Sequence, residues 1–266
     1  MRFQLILKIL LLSFLGANGS IASSDKIEAG IDEQLGKKIP LDVHFTDESG
    51  RQITLGDLFD KTTIITFVYY NCPGICSPLL SEVADIINKS DLQPGKDYNV
   101  ISISMDDRET YLQAAEKKKN FLQMIDKKMP EDAWRFLTGD SINIYKVTNA
   151  AGFYFKKQGD EIIHSGALIF LTKEGMITRY LFPGYNKKYG FSILPFDFKM
   201  AVTETAKGNT SPTVARFLQF CFSYDPEGKT YVLNLTRIFG VGILMLVVIF
   251  ILYLKVKPKK ENRITR

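Results

Sequence analysis

The hydrophobic pattern along the chain alternates between strand-like runs and helix-like spacing. Thr62 to Tyr70 (TTIITFVYY) is an unbroken β-branched and aromatic run, the pattern of a strand buried on both faces. Tyr98 to Met105 (YNVISISM) is a second such strand. Between them Leu79, Leu80, Val83, Ile86 and Ile87 recur at helical spacing. Glu109 to Lys127 reads as an amphipathic helix, Trp134 to Leu137 as a short strand and Ser141 to Ala150 as a short helix. Ala167 to Leu171 and Met176 to Leu181 flank Lys173-Glu174-Gly175 as a hairpin, and a helix is expected over Asp197 to Ala206. Upstream, Leu41 to Phe45 alternates, Asp47 to Gly50 makes a turn and Gln52 to Leu55 resumes, which predicts an extra N-terminal β-hairpin. Strands alternating with helices predict an α/β layered fold around a largely parallel central sheet.

The two ends carry a different kind of apolar run. Arg2 and Lys8 precede the short stretch Ile9 to Leu15, and the small residues Ala17 to Ala22 follow, so residues 1–22 read as a secretory signal. An uncleaved N-terminal anchor is the alternative. Ile238 to Leu254 is uncharged and has no polar stripe, so residues 237–255 are expected to form a single transmembrane helix. The tail, residues 256–266, is strongly basic, and by the positive-inside rule it is cytoplasmic. Residues 23–236 are then extracytoplasmic, placing the domain on the periplasmic side of the inner membrane. Charge supports this division. Of the chain's net +5, the signal carries +2 and residues 237–266 carry +6, leaving −3 on the segment between. The basic character belongs to the membrane flanks, and no nucleic-acid partner is implied. Within the exported part, residues 23–37 read as a loose lead-in, 38–206 as the folded domain and 207–236 as a juxtamembrane extension.

Three cysteines in an exported chain leave one thiol over when a bridge forms. Cys72 and Cys76 sit where the first central strand runs into its helix, and in open α/β sheets sites lie at the carboxyl ends of strands. This is also where thioredoxin-like folds keep their chemistry. At i and i+4 of a helix two sulfurs share one face and can converge on one metal ion or close a bridge. Pro73 and Pro78 imply a distorted first turn starting near Pro73, and a helix N-terminus favours the thiolate. Two buried structural cysteines are the plainer alternative. His164, one of only two histidines, stands just before the strand ALIFL, and in a thioredoxin-like sheet that loop faces the active-site helix. Two thiolates and an imidazole form a soft set suited to copper, Cu(I) above all, with zinc as the competitor. A hydrogen-bonded turn histidine is the alternative for His164, and His44 reads as structural. Cys221 reads as a packed or lipid-proximal thiol, against a sharper reading as a redox or metal-relay thiol.

Three segments, FVYYNCPGICSPLLSEVADI, ISISMDDRET and DEIIHSGALIFLTKEGMITRYL, resemble the signature segments of the Sco (SenC) family, and the likeness spans roughly residues 38–205. The resemblance implies a thioredoxin-like fold and one copper ion, Cu(I) or Cu(II), held by Cys72, Cys76 and His164. It implies a role in building the CuA centre of cytochrome c oxidase, with that enzyme's copper-binding subunit as partner. Other copper chaperones or thioredoxin-like reductants are further partners. Asp106 matches the family's acidic residue near the site and is expected to act behind the ligands. The sequence departs from the pattern at Asn71, at Ser77 and at Asp107, which replaces the usual proline. Two other chemistries stay open: Cys72 and Cys76 as a redox pair that reduces the acceptor's cysteines, and a thioredoxin-like peroxidase using one of them.

Overall fold

A computed structural model describes residues 29–186, 190–210, 222–225 and 230–233, with isolated helical positions between 240 and 251. The strands in chain order are β1 (Gly30–Ile31), β2 (His44–Thr46), β3 (Gln52–Thr54), β4 (Thr63–Val68), β5 (Asn99–Ser104), β6 (Trp134–Leu137), β7 (Phe153–Tyr154), β8 (Lys156–Gln158), β9 (Glu161–Ile163), β10 (Leu168–Leu171) and β11 (Ile177–Leu181). Two further hairpins follow: β12 (Gly184–Asn186) with β13 (Gly190–Ser192), and β14 (Phe222–Asp225) with β15 (Thr230–Leu233). The helices are α1 (Cys76–Lys89), α2 (Tyr111–Leu122), α3 (Ser141–Ala150) and α4 (Pro195–Ala206).

The central sheet has five strands in the order β11-β10-β4-β5-β6. β4, β5 and β6 run parallel, whereas β10 pairs antiparallel with both β4 and β11. The sheet is therefore mixed rather than largely parallel. All six β4 residues are buried, as their unbroken apolar run requires. α1 buries Leu79, Leu80, Val83, Ala84, Ile86 and Ile87. α2 begins at Thr110, whose N–H donates to Gln113 Oε1 at 2.7 Å, and so it is shorter at both ends than its amphipathic pattern. Pro195 at the first position of α4 starts that helix two residues earlier than its apolar spacing indicates.

β2 and β3 form an antiparallel hairpin that leads into a 3-10 turn, Leu55–Leu58. Its tip is tied to β6 by charge. Asp47, with no exposed side-chain surface, meets Arg135 Nη2 at 2.7 Å, and Glu48 Oε1 meets Arg135 Nε at 2.9 Å. Lys118 Nζ reaches the same Glu48 oxygen at 2.6 Å.

Residues 29–37, expected as a loose lead-in, are tied to the domain where described. β1 pairs with β7, Asp32 N–H donates to Gly152 O at 2.8 Å, and Gly36 N–H donates to Ile177 O at 2.8 Å. The expected signal over 1–22, Cys221 and the basic tail lie outside the described residues. So does most of the expected span over 237–255. The described positions there (Gly240, Ile243, Met245, Leu246, Val247, Ile249, Phe250 and Ile251) are helical and exposed. Among the described residues no helix is long and apolar enough to cross a membrane.

Candidate metal centre

The end of β4 delivers the chain into the site. After Val68 the backbone turns through Tyr69, Tyr70 and Asn71 to Cys72, and α1 begins at Cys76. Cys72 thus lies ahead of the helix rather than on its first turn. Pro73 stays in the bend, and Pro78 falls at the third helical position, where a missing N–H leaves no helix bond unmade. The two sulfurs converge because the bend folds back on the helix start, a geometry distinct from the i, i+4 face that the spacing suggests.

Glu109 holds this bend in place. Its buried carboxylate accepts the Tyr70 and Asn71 N–H groups, both at 2.7 Å, and the Ser104 hydroxyl at 2.6 Å. Burial pushes the Glu109 pKa up; the hydrogen bonds from Ser104, Tyr70 and Asn71 oppose that shift. The Tyr70 hydroxyl donates to Leu137 O at 2.8 Å, anchoring the next residue of the bend to β6.

His164 arrives from the opposite side, directly after the β8–β9 hairpin. Its Nε2 lies 3.2 Å from Cys76 Sγ, and its Nδ1 lies 2.8 Å from the Ser165 carbonyl oxygen. A carbonyl only accepts, so Nδ1 carries a proton and Nε2 is the nitrogen that faces the thiols. Tyr69 stands edge-on to the imidazole at 5.8 Å, and the Phe153 ring centroid is 6.3 Å away. The donor atoms of Cys72, Cys76 and His164 all lie within 4.8 Å of one another. A thiolate-bound metal such as zinc sits about 2.3 Å from sulfur and about 2.0 Å from nitrogen, so one ion needs only small adjustments to touch all three. The donor chemistry and the spacing fit a metal ion.

The two thiols are electrically unequal. Cys76 is 1% exposed and accepts the Tyr69 N–H, whereas Cys72 is half-buried. The Cys72 pKa is driven far down, first by the hydrogen bond from the Cys76 thiol; burial opposes it, and His164, the Cys76 N–H and the Tyr69 hydroxyl add to it. The same interaction and burial drive Cys76 up, so the pair holds one proton on Cys76 and a thiolate on Cys72. A polar cleft of about 240 Å³, lined by Tyr70, Asn71, Cys72, Gln113, Glu116, Lys117 and Asn120, opens beside that thiolate. Alkylation of the reduced protein by iodoacetamide should therefore modify Cys72 first. Its rate should stay nearly flat from pH 8 down to about pH 6, where an ordinary thiol of pKa about 8.5 slows about 75-fold. Peptide mass spectrometry reads the site, and a Cys72 rate that falls with the slope of free cysteine would contradict the assignment.

Asp106 meets Arg108 rather than a donor atom. Its carboxylate grips Arg108 through Nε at 2.9 Å and Nη2 at 2.9 Å. Arg108 Nη1 in turn reaches Asp160 at 3.0 Å, on the hairpin that carries His164. The site contributions of Tyr69 and Glu109 were not read from the sequence. The acid at 109 after an arginine was visible, but its backbone contacts span 38 and 39 residues and leave no periodic trace.

A mixed α/β sheet with a dithiol and an imidazole at the end of its first central strand is a thioredoxin-like arrangement adapted to ligate metal. The chain belongs to the SCO1/SenC family, whose model matches residues 32–191. The SCO1 protein homolog of Bacillus subtilis (strain 168) is 24% identical over 158 residues, 58% of this chain and 75% of that protein. Among solved structures, an Aquifex aeolicus VF5 protein assigned to electron transfer superposes with a TM-score of 0.56. It is 26% identical and covers 66% of this chain and 95% of its own. A second Aquifex aeolicus VF5 structure, assigned to electron transport, has a TM-score of 0.54 at 24% identity, over 66% of this chain and 99% of its own.

Proposed function

We propose that this chain is a membrane-tethered copper-binding assembly factor that delivers copper to, or prepares, the CuA site of cytochrome c oxidase. The observation that carries the reading is the convergence of two sulfurs and an imidazole nitrogen within 4.8 Å. Such a soft three-donor set selects copper, Cu(I) above all, over hard cations. Structural zinc ordinarily takes a fourth protein ligand, and among the described residues no fourth histidine, cysteine or carboxylate joins the group. Membership in the SCO1/SenC family supports oxidase assembly as the purpose and a copper protein, the oxidase's copper-binding subunit, as the proposed acceptor. Copper is cargo here: the half-exposed Cys72 is a donor an incoming ligand can meet, while buried Cys76 keeps hold until exchange is complete. The apolar run over 237–255, with its exposed helical positions and basic flank, supports a single-pass anchor with the domain on the periplasmic side.

A second reading has its own support in the inequality of the thiols. An accessible thiolate beside a buried, protonated partner is the arrangement for reducing a disulfide in the acceptor. Cys72 would attack one target sulfur, forming a mixed disulfide and releasing the other as a thiolate. Cys76, once deprotonated, would then displace the remaining target sulfur and close the Cys72–Cys76 bridge.

The deciding measurement is metal analysis of the reduced protein loaded with Cu(I), wild type against Cys72→Ser. One copper per chain in the wild type and a large loss in the variant are expected. A wild-type ratio near zero sinks the copper reading and leaves the reductant.

A further inference from the structure

The β8–β9 hairpin that carries His164 is almost wholly exposed at its tip. Lys156, Lys157, Gln158, Gly159, Asp160 and Glu161 all face solvent, and Ile162 is the only hairpin strand residue in the core. Nothing apolar at the tip holds it against the body. Two ion pairs do so, and both come from the loop after β5. Lys157 Nζ lies 2.5 Å from Asp107 Oδ1, and Arg108 Nη1 lies 3.0 Å from Asp160 Oδ1. The loop end of the second pair is firm, because Asp106, with 8% of its side chain exposed, clasps the Arg108 guanidinium through two nitrogens and also accepts the Arg108 N–H at 3.1 Å. The residue after Arg108 is Glu109, which fixes the bend leading to Cys72. One four-residue loop, Asp106 to Glu109, therefore grips the thiol half of the donor set with one side chain and the imidazole half with two others.

We propose that Asp107 and Arg108 are positioning residues that hold the His164 hairpin over the thiols, so that this loop sets how readily the imidazole leaves a bound ion. The proposal rests on the copper reading only for its metal arm. Asp107 matters because its carboxylate is the partner that Lys157 meets. The hold is electrostatic and partly exposed, so it is weak pair by pair and screened by salt. Those are the properties of a latch that releases rather than of a fixed strut.

The test uses the full chain with Asp107→Asn and Asp160→Asn combined, both at exposed or half-exposed positions where the fold has little at stake. The first readout is the rate at which Cu(I)-loaded protein loses metal to the chelator bathocuproine disulfonate. Loss of two weak ion pairs should raise that rate about 3- to 10-fold. Wild-type loss should also quicken between about 0.02 and 0.5 M salt, while the variant's stays flat. The second readout needs no metal: amide hydrogen exchange at Ile162 to Ser165 should accelerate in the variant while α1 is unchanged. Asp107→Lys alone should show part of both effects, and adding Lys157→Asp to it should recover most of that part. A variant that matches wild type in exchange and in salt response overturns the proposal. A wild type that takes up no Cu(I) removes the function reading instead, and the exchange measurement still decides this one.

Discussion

Replacing His164 with alanine is expected to cut Cu(I) affinity by at least about 100-fold while leaving the fold intact. Disturbing groups that merely orient metal ligands costs 10- to 100-fold, so removing a ligand outright should cost no less. The fold should survive because His164 is half-buried at the foot of an exposed hairpin, and its contacts are confined to the Tyr69 and Phe153 rings, the Cys76 sulfur and the adjacent Ser165 carbonyl. Competition against a Cu(I) chelator reads the affinity, and circular dichroism checks the fold. The same variant separates the two readings of function. If it fails to hold copper and also fails to support oxidase assembly in cells, delivery is the function. If it fails to hold copper yet supports assembly, the thiols alone are sufficient and the reductant reading stands. Unchanged affinity would remove His164 from the donor set altogether.

Arg135→Leu is expected to be the most damaging substitution outside the metal centre, at about 2–3 kcal/mol, because it removes charged hydrogen bonds from two buried acids and leaves only Arg51 on Asp47 and Lys118 on Glu48. Asp47 has no exposed side-chain surface and Glu48 little, and both rely on this guanidinium. Urea unfolding followed by fluorescence of Trp134, the residue preceding it, reads the loss. Acid titration reads its origin. Burial alone would raise the Asp47 pKa, but the Ser49 hydroxyl, the Arg51 and Ser49 N–H groups and the Arg135 charge outweigh it and hold the carboxyl far below its usual range. A carboxyl depressed in the folded state contributes stability that is fully present above its unfolded pKa of about 3.9 and is lost as pH falls through the folded value. Wild-type stability should therefore decline below about pH 4–5, and Arg135→Leu should show a shallower acid limb. An equal limb in both proteins would contradict the role given to this pair.

The elements that the sequence announces are those whose burial is uniform. β4, β5 and the apolar face of α1 are visible because most of their buried positions carry apolar side chains, with Thr63, Thr66, Ser102 and Ser104 as small buried exceptions. Trp134–Leu137 and Ser141–Ala150 coincide with their expected bounds, the second because Asp140 caps it by accepting the Asn143 N–H. The β8–β9 hairpin is invisible for the opposite reason: Lys-Lys-Gln and Gly-Asp-Glu carry no alternation, since neither face of the tip packs on anything. The direction of β10 was equally illegible, because an antiparallel neighbour to β4 is chosen by the path of the long connection and not by the strand's own residues. In the metal centre the three donors could be named from spacing and strand position. Their support could not, because Glu109 acts through backbone N–H groups and Tyr69 through a hydroxyl turned toward Cys72, and neither has a sequence pattern.

Gly152 gives the domain a longer reach at its start than its motifs suggest. The residue has φ +59°, and a methyl group there would come within 1.8 Å of the Asp32 carbonyl oxygen, so the lead-in lies flat against it. That contact continues into the pairing of Gly30–Ile31 with Phe153–Tyr154, and Phe153 is one of the rings beside His164. A truncation at residue 38 would keep every donor yet peel away the strand that braces the histidine's aromatic neighbour. The smallest piece that keeps the imidazole in place is therefore expected to begin no later than Gly30, and residues far from any motif belong to the architecture of the candidate metal site.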